Sequence, residues 1–165
     1  MSITQQKIIS RLLAAASKSP QHTRVAAAIC RGSKVLEINI NNHRSKYGDH
    51  IKCSGHAEVA CIHKLFPYYF KNKLNGSLIF RNKKFKRKMR KLTIYIARHR
   101  HSTPSCPAHS QPCSNCSSVI KKIGIKKIVY VDDYGQINKC KAIDYKTNYI
   151  TPGYRLYHQL NITPD

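Results

Sequence analysis

The sequence predicts an α/β sandwich whose later strands run parallel, and three observations carry that prediction. Apolar residues recur at helical spacing in some segments and form short β-type runs in others. These segments alternate along the chain at a spacing that makes helices the connections between strands. The chain has 165 residues, 41% of them hydrophobic. At that size a single core hides on the order of 70% of the unfolded surface. The expected organisation is one domain over residues 1–165, with a basic insertion at about 71–91 and an irregular tail from about 141.

Ile8, Leu12, Leu13 and Ala16 recur at helical spacing, so Thr4 to Ser17 reads as an amphipathic helix closed by Ser19-Pro20. Val25 to Cys30 and Val35 to Ile40 are β-type runs, and Arg31-Gly32-Ser33-Lys34 between them is a hairpin signature. The polar stretch from Asn41 to Ser54 reads as loop. A helix opens across Gly55 to His63 and runs to about Phe66, where Pro67 discourages continuation. Leu92 to Ala97 is a strand. Arg98 to Pro112 is rich in Ser, Pro and His and reads as loop. Ser114 to Lys122 is helical and stops at Gly124, Ile125 to Val131 is a strand, and Asp132 to Gly135 is a turn.

Thirty Lys and Arg against seven Asp and Glu give a formal net charge of +23. Such a surface draws polyanions and small phosphate ligands alike. The densest stretch holds Arg81, Lys83, Lys84, Lys86, Arg87, Lys88, Arg90 and Lys91, with Phe85 and Met89 as its large apolar members. It reads either as a solvated basic loop or as a nucleic-acid contact surface, with a nuclear-import signal as a third option. No run of 18 apolar residues exists, which argues against a membrane-spanning helix. Met1 to Lys7 lacks a basic start followed by an apolar block, so a cytoplasmic location is expected, with the nucleus left open.

Seven cysteines without a secretion signal point to reduced thiols, some of them binding metal. Cys30, Cys61 and Cys140 fall in or beside apolar runs and read as buried, inert thiols. The cluster Tyr68-Tyr69-Phe70 reads as packing against the sheet, with stacking on bases as the alternative.

Two motifs carry chemistry. His56-Ala57-Glu58 starts one expected helix, and Pro112-Cys113-Ser114-Asn115-Cys116 starts another. His56, Cys113 and Cys116 offer three protein ligands to a tetrahedral Zn²⁺ and leave one position open for water, the mark of a catalytic rather than a structural site. Both motifs sit at helix N-termini, where the macrodipole favours thiolate over thiol. Glu58, two residues after the histidine, lies beside the metal without ligating it and can take a proton from bound water. The chain holds only two glutamates, Glu37 and Glu58, so its placement there is not a compositional accident. A compact closed site joining Cys106 and His109 to Cys113 and Cys116 is a rival, as is a second zinc near Cys53, Cys106 or His109. A spacing of roughly 12 residues between ligand pairs is usual in fingers. The gap between these pairs is far shorter.

His-x-Glu paired with Pro-Cys-x-x-Cys is the signature of zinc nucleobase deaminases. On these motifs, with Val25 to Ile29, Leu92 to Ala97 and Lys121 to Tyr130, the chain resembles the cytidine and deoxycytidylate deaminase superfamily over roughly Ile8 to Asp133. The resemblance implies a three-layer α/β/α sandwich with a five-stranded mixed sheet and a zinc site at two helix N-termini. It also implies an Asn at the end of the second strand that contacts substrate. Asn41 best fits that register, with Asn42 one residue away, and the backbone N–H of Ala57 would face the carbonyl of the base. Members are often dimers or larger, so a homo-oligomer is expected on the same ground. Two departures stand out: the stretch between Glu58 and Cys113 is long, and Ser110-Gln111 displaces the usual Thr or Ser before Pro-Cys.

The implied activity is zinc-dependent hydrolytic deamination of a cytosine-containing nucleoside or nucleotide to the uracil form, with release of ammonia. One alternative is a base in tRNA or single-stranded nucleic acid, and adenine or guanine stays open as the base. A different class of function is a basic nucleic-acid-binding module that keeps the deaminase scaffold around a structural zinc.

Overall fold

Helix α1 (Ile3–Ala16) begins on a capping box: the Ser2 hydroxyl accepts from the Gln5 N–H while the Gln5 side chain accepts from the Ser2 N–H. Its buried face, Ile8, Ile9, Leu12 and Ala16, follows the apolar spacing of the sequence. The computed structural model describes residues 2–47, 50–51, 55–69, 83–100 and 107–159.

Strands β1 (Arg24–Arg31) and β2 (Lys34–Ile40) form the expected hairpin, closed by Gly32 at φ +62°. A left-handed residue suits the twist of so tight a turn. β3 (Lys46–Tyr47) and β4 (His50–Ile51) make a short ladder within the stretch read as loop. Helix α2 (Ala57–Leu65) follows, then a 3₁₀ turn (Pro67–Tyr69), helix α3 (Lys83–Met89) and strand β5 (Leu92–His99). Next come β6 (Pro107–Ala108), helix α4 (Ser114–Ile123), β7 (Lys127–Val131), β8 (Ile137–Lys141) and helix α5 (Pro152–Gln159).

The main sheet runs β2-β1-β5-β7-β8, with β6 paired to β5. β5 and β7 are parallel and the other pairings are antiparallel, so the sheet is mixed. Parallel neighbours need a crossover, and α4 supplies it. The two-residue period of the strands divides the interior. Ala26, Ala28, Cys30, Tyr95, Ala97, Val129 and Val131 meet α1 on one face. On the other, Ala27, Ile29, Ile94, Ile96 and Ile128 meet α2 and α4. The fold is therefore the α/β/α sandwich that the sequence predicts.

Four local expectations change. The basic stretch is not simply a solvated loop: residues 83–89 are helical, because Met89 is buried and Phe85 packs against the core beside α2. Arg81 lies outside the described residues. Arg98 and His99 extend β5, where they pair with Ala108 and Pro107 of β6 instead of forming loop. The tail expected to be irregular carries α5, started by Pro152, a residue well suited to the first helical position. Tyr68 is 67% exposed instead of packed against the sheet, and Phe70 lies outside the described residues.

Cys30 and Cys61 are buried and Cys140 is half-buried, all as free thiols. Burial pushes Cys30 up to about 11 and raises Cys61 and Cys140 as well, which keeps them protonated and inert. No helix among the described residues is long and apolar enough to cross a membrane.

Leu12 is fully buried between α1 and the sheet, whereas Ile3 on the same helix is 71% exposed. Leu12→Ala should therefore cost about 2–5 kcal/mol, while Ile3→Ala should stay within about 0.5 kcal/mol. Urea unfolding of the two variants measures the difference.

Candidate metal centre

His56 is the N-cap of α2 and Cys113 the N-cap of α4, both with extended backbone and neither side chain making a capping hydrogen bond. Their donor atoms are thus released from capping and turned toward one another. Cys116 sits three residues into α4, on the same side as Cys113. His56 Nδ1 lies 3.2 Å from Cys116 Sγ and 3.5 Å from Cys113 Sγ. The three donor atoms all fall within 4.8 Å of one another. A tetrahedral zinc with its usual bond lengths separates nitrogen and sulfur ligands by about 3.6 Å. The donor set therefore suits Zn²⁺ in both spacing and chemistry, with one position left for a further ligand.

The two thiols are coupled by a hydrogen bond. A hydrogen bond from Cys116, opposed by burial, brings Cys113 down to about 4. The same bond and full burial push Cys116 well above the usual thiol range. A cation takes the place of the bonding proton, since ligation requires both thiolates.

Glu58 is 5% exposed in the first turn of α2. Burial raises its carboxyl above the ordinary range, partly offset by the neighbouring His56. Glu58 lines a cavity of about 210 Å³ together with His56, Ala57 and Cys113. The strands supply Val25, Asn41, Ile96 and Arg98, and the segment before α4 supplies His109, Ser110 and Gln111. Gln21 and Thr23 border it from the link between α1 and β1.

Asn41 reaches the cavity, but its side chain is already committed. Its Oδ1 accepts from Ser19 Oγ at 2.7 Å and from the Val25 N–H at 2.8 Å. Its Nδ2 donates to Gln21 Oε1 at 2.7 Å and to the Thr23 carbonyl at 2.5 Å. All four hydrogen-bonding positions of the amide are taken. Asn42 is turned to its own loop, accepting from the Arg44 N–H at 2.8 Å. Ala57, the first residue of α2, is buried in the cavity wall.

Among the described residues, His56, Cys113 and Cys116 form the one cluster able to hold a metal. His109 stands apart from it, with Nδ1 at 3.3 Å from the Asp133 carboxylate. Cys53 and Cys106, invoked for a second zinc, lie outside the described residues.

One wall escaped sequence reasoning. Tyr149, Thr151, Pro152 and Gly153 close the cavity from the C-terminal side. The first-turn N–H of Ser114 donates to the Tyr149 carbonyl at 2.9 Å, and Tyr145 Oη donates to the Pro112 carbonyl at 2.8 Å. These bonds fasten the tail over the start of α4. Thr151-Pro152 was a legible helix start, but nothing local said where that helix would sit.

A family model described as the cytidine and deoxycytidylate deaminase zinc-binding region matches residues 2–132. The chain belongs to this family. A 1.6 Å crystal structure of cytidine deaminase from Burkholderia pseudomallei is similar with a TM-score of 0.53 and 18% identity, over 91% of this chain and 100% of that one. The dCMP deaminase from the cyanophage S-TIM5, in apo form, is similar with a TM-score of 0.50 and 15% identity, over 97% and 94% of the two chains. No curated protein sequence matches the chain significantly. At these identities the structures speak for the deaminase fold, and the family match together with the donor set speaks for zinc. The matched residues end at 132, so the Tyr149–Gly153 wall lies beyond them.

The wild-type protein should carry about one zinc per chain. Cys113→Ser should lower zinc affinity at least 10-fold, read by metal analysis after dialysis against a graded chelator. Added zinc should raise the melting temperature of the metal-stripped wild type and leave this variant nearly unmoved.

Proposed function

We propose that the protein is a zinc-dependent hydrolytic deaminase that converts a cytosine-containing nucleoside or nucleotide to its uracil form. The observation that supports this most is the meeting of three metal-ligand atoms beside a cavity that buried Glu58 lines together with two of the ligand residues, His56 and Cys113. Bound zinc supplies a water acidified to a pKa near 7 and so usable as a nucleophile at neutral pH.

His56, Cys113 and Cys116 hold the metal, and Glu58 carries protons. Its carboxylate takes one from the attacking water and passes it to ring N3 as oxygen bonds to C4. The carboxylate then takes the second hydroxyl proton and delivers it to the amine. The C4–N bond breaks with its electron pair on nitrogen, and ammonia departs. Water and cytosine thus become uracil and ammonia, with Glu58 returned to its starting state. On this reading the N–H of Ala57, in the first turn of α2 where helices leave donors unpaired, donates to the base carbonyl. Asn41 serves by shape: its four hydrogen bonds tie β2 to the Ser19–Val25 segment and set one side of the pocket.

Glu58→Gln should keep zinc and lose about 10²- to 10⁴-fold in turnover, the usual scale of general acid–base catalysis. Ammonia release is measured across cytidine, deoxycytidine, their monophosphates, adenine and guanine nucleosides, and short RNA and DNA. Normal turnover by that variant would remove Glu58 from the mechanism. Zinc content with no ammonia from any of these compounds would favour the binding-module reading.

A second reading, deamination of a base within a polynucleotide, is favoured by one observation. Among the described residues, Arg31, Lys84, Arg87, Lys88 and Lys91 line a groove of about 430 Å³ with Phe85 and no acidic residue. It lies at the Arg31 end of β1, whereas the cavity takes Val25 at the other end. At ~3.3 Å per residue the two are roughly 20 Å apart, which only a chain of several nucleotides spans. On this reading, charge reversal at Arg87, Lys88 and Lys91 should lower the slope of log affinity against log salt by about 2 for single-stranded RNA. Nucleoside deamination should be unchanged. Filter binding at several salt concentrations, beside the ammonia assay, tests both halves.

A further inference from the structure

Two side chains in the cavity wall have no part in the chemistry above. Arg98 lies on the same face of β5 as Ile96 and pairs with Val25 of β1 on one edge and Ala108 of β6 on the other. His109 follows Ala108 directly, so the return of the chain in β6 brings its ring into the wall that Arg98 occupies. Both belong to the long stretch between the two zinc motifs.

The surroundings of the pair point to an anion. His109 Nδ1 is held by the Asp133 carboxylate at 3.3 Å, and Asp133 also meets Arg100 at 3.9 Å. The Tyr130 ring, at 6.1 Å between centroids, flanks the imidazole. That leaves Nε2, which is buried without a hydrogen-bond partner among the described residues. A buried ring nitrogen of this kind is costly unless something else completes it. None of the described carboxylates forms an ion pair with Arg98. Among the described residues, Glu58 is the single carboxylate lining the cavity, and the metal centre claims it.

A neutral cytosine ring, with N3 engaged by Glu58, has no acceptor set that occupies both a guanidinium fork and an imidazole. A phosphate has one: it accepts two parallel bonds from a guanidinium fork and a further one from an imidazole that donates Nδ1–H to Asp133 and Nε2–H to the ligand. We propose that Arg98 and His109 form a phosphate site in this cavity, so that the substrate is a phosphorylated cytosine nucleotide in preference to the free nucleoside. The proposal rests on the deaminase reading for the identity of the base. The phosphate is either the terminal monoester of a free nucleotide or a diester within a chain.

The test compares zinc-loaded wild type, Arg98→Gln, Arg98→Lys and His109→Gln on cytidine, CMP and the dinucleoside phosphate CpA, with 3′-CMP as the monoester partner of CpA and 5′-CMP beside ApC. Binding of uridine and UMP is followed in parallel by calorimetry. Wild type should favour a phosphorylated substrate over cytidine in kcat/KM. Arg98→Gln should reduce that preference about 10- to 100-fold, mainly through KM, with a matching loss of UMP binding. Arg98→Lys, which keeps the charge but not the fork, should restore part of it, and His109→Gln should fall between. Preference for either CMP alone assigns a terminal phosphate; equal use of its dinucleoside partner assigns a diester; either supports the site. Equal handling of cytidine, both monophosphates and both dinucleoside phosphates by the wild type overturns it, as does a loss in both variants that is the same for all of them. Failure of the deaminase reading looks different: no ammonia from any cytosine compound, with UMP binding still dependent on Arg98. Should Arg98→Gln not fold, as judged by thermal unfolding, His109→Gln carries the same comparison.

Discussion

The parallel pairing of β5 with β7 is the constraint on which the rest of the molecule depends. Parallel strands cannot be joined by a tight turn, so the chain must leave β5, cross one face as α4 and return. That route delivers the N-terminus of α4, with Cys113 and Cys116, to the side of the sheet already covered by α2. His56, at the N-terminus of α2, meets them there. The metal centre is a consequence of sheet topology before it is a matter of ligand chemistry.

Environment then separates residues of the same kind. Five free cysteines are described, and burial raises Cys30, Cys61 and Cys140. Cys113 alone among them is brought down, because Cys116 and His56 stabilise its thiolate. The contrast is set by the presence of a charged or donating neighbour, since burial by itself pushes every thiol upward. Glu58 shows the same competition, with loss of hydration working against the attraction of His56.

The cavity divides into a floor and walls of different origin. His56, Ala57, Glu58 and Cys113 form a floor that falls within the deaminase family match. Part of the wall comes from the long segment between the zinc motifs, and part from Tyr149 to Gly153, beyond the matched residues. On the proposed function the floor carries the chemistry, and the walls bear on which substrate fits. A net charge of +23 surrounds both. The basic groove of α3 lies at the far end of β1, so the cationic groove and the metal-ligand cluster are separate features of the molecule.

Sequence alone settles the local and the chemical: the periodic face of α1, the apolar run of β1, the Gly32 and Gly124 turns, and the three donors with their glutamate. Each of these is written in neighbouring residues, where spacing and residue type act directly. Longer reach decided the rest. Asn41 is legible as an asparagine at a strand end, yet only contact with Ser19, Gln21, Thr23 and Val25 spends its amide on the fold. The run around Arg87 is all charge in one dimension, and it becomes helix α3 because Phe85 and Met89 find the core. Arg98 and His109 stand eleven positions apart and read as loop until β6 pairs with β5 and sets them in one wall. Pairing across a sheet edge joins residues by register, and no single stretch of chain records which strand will lie beside it.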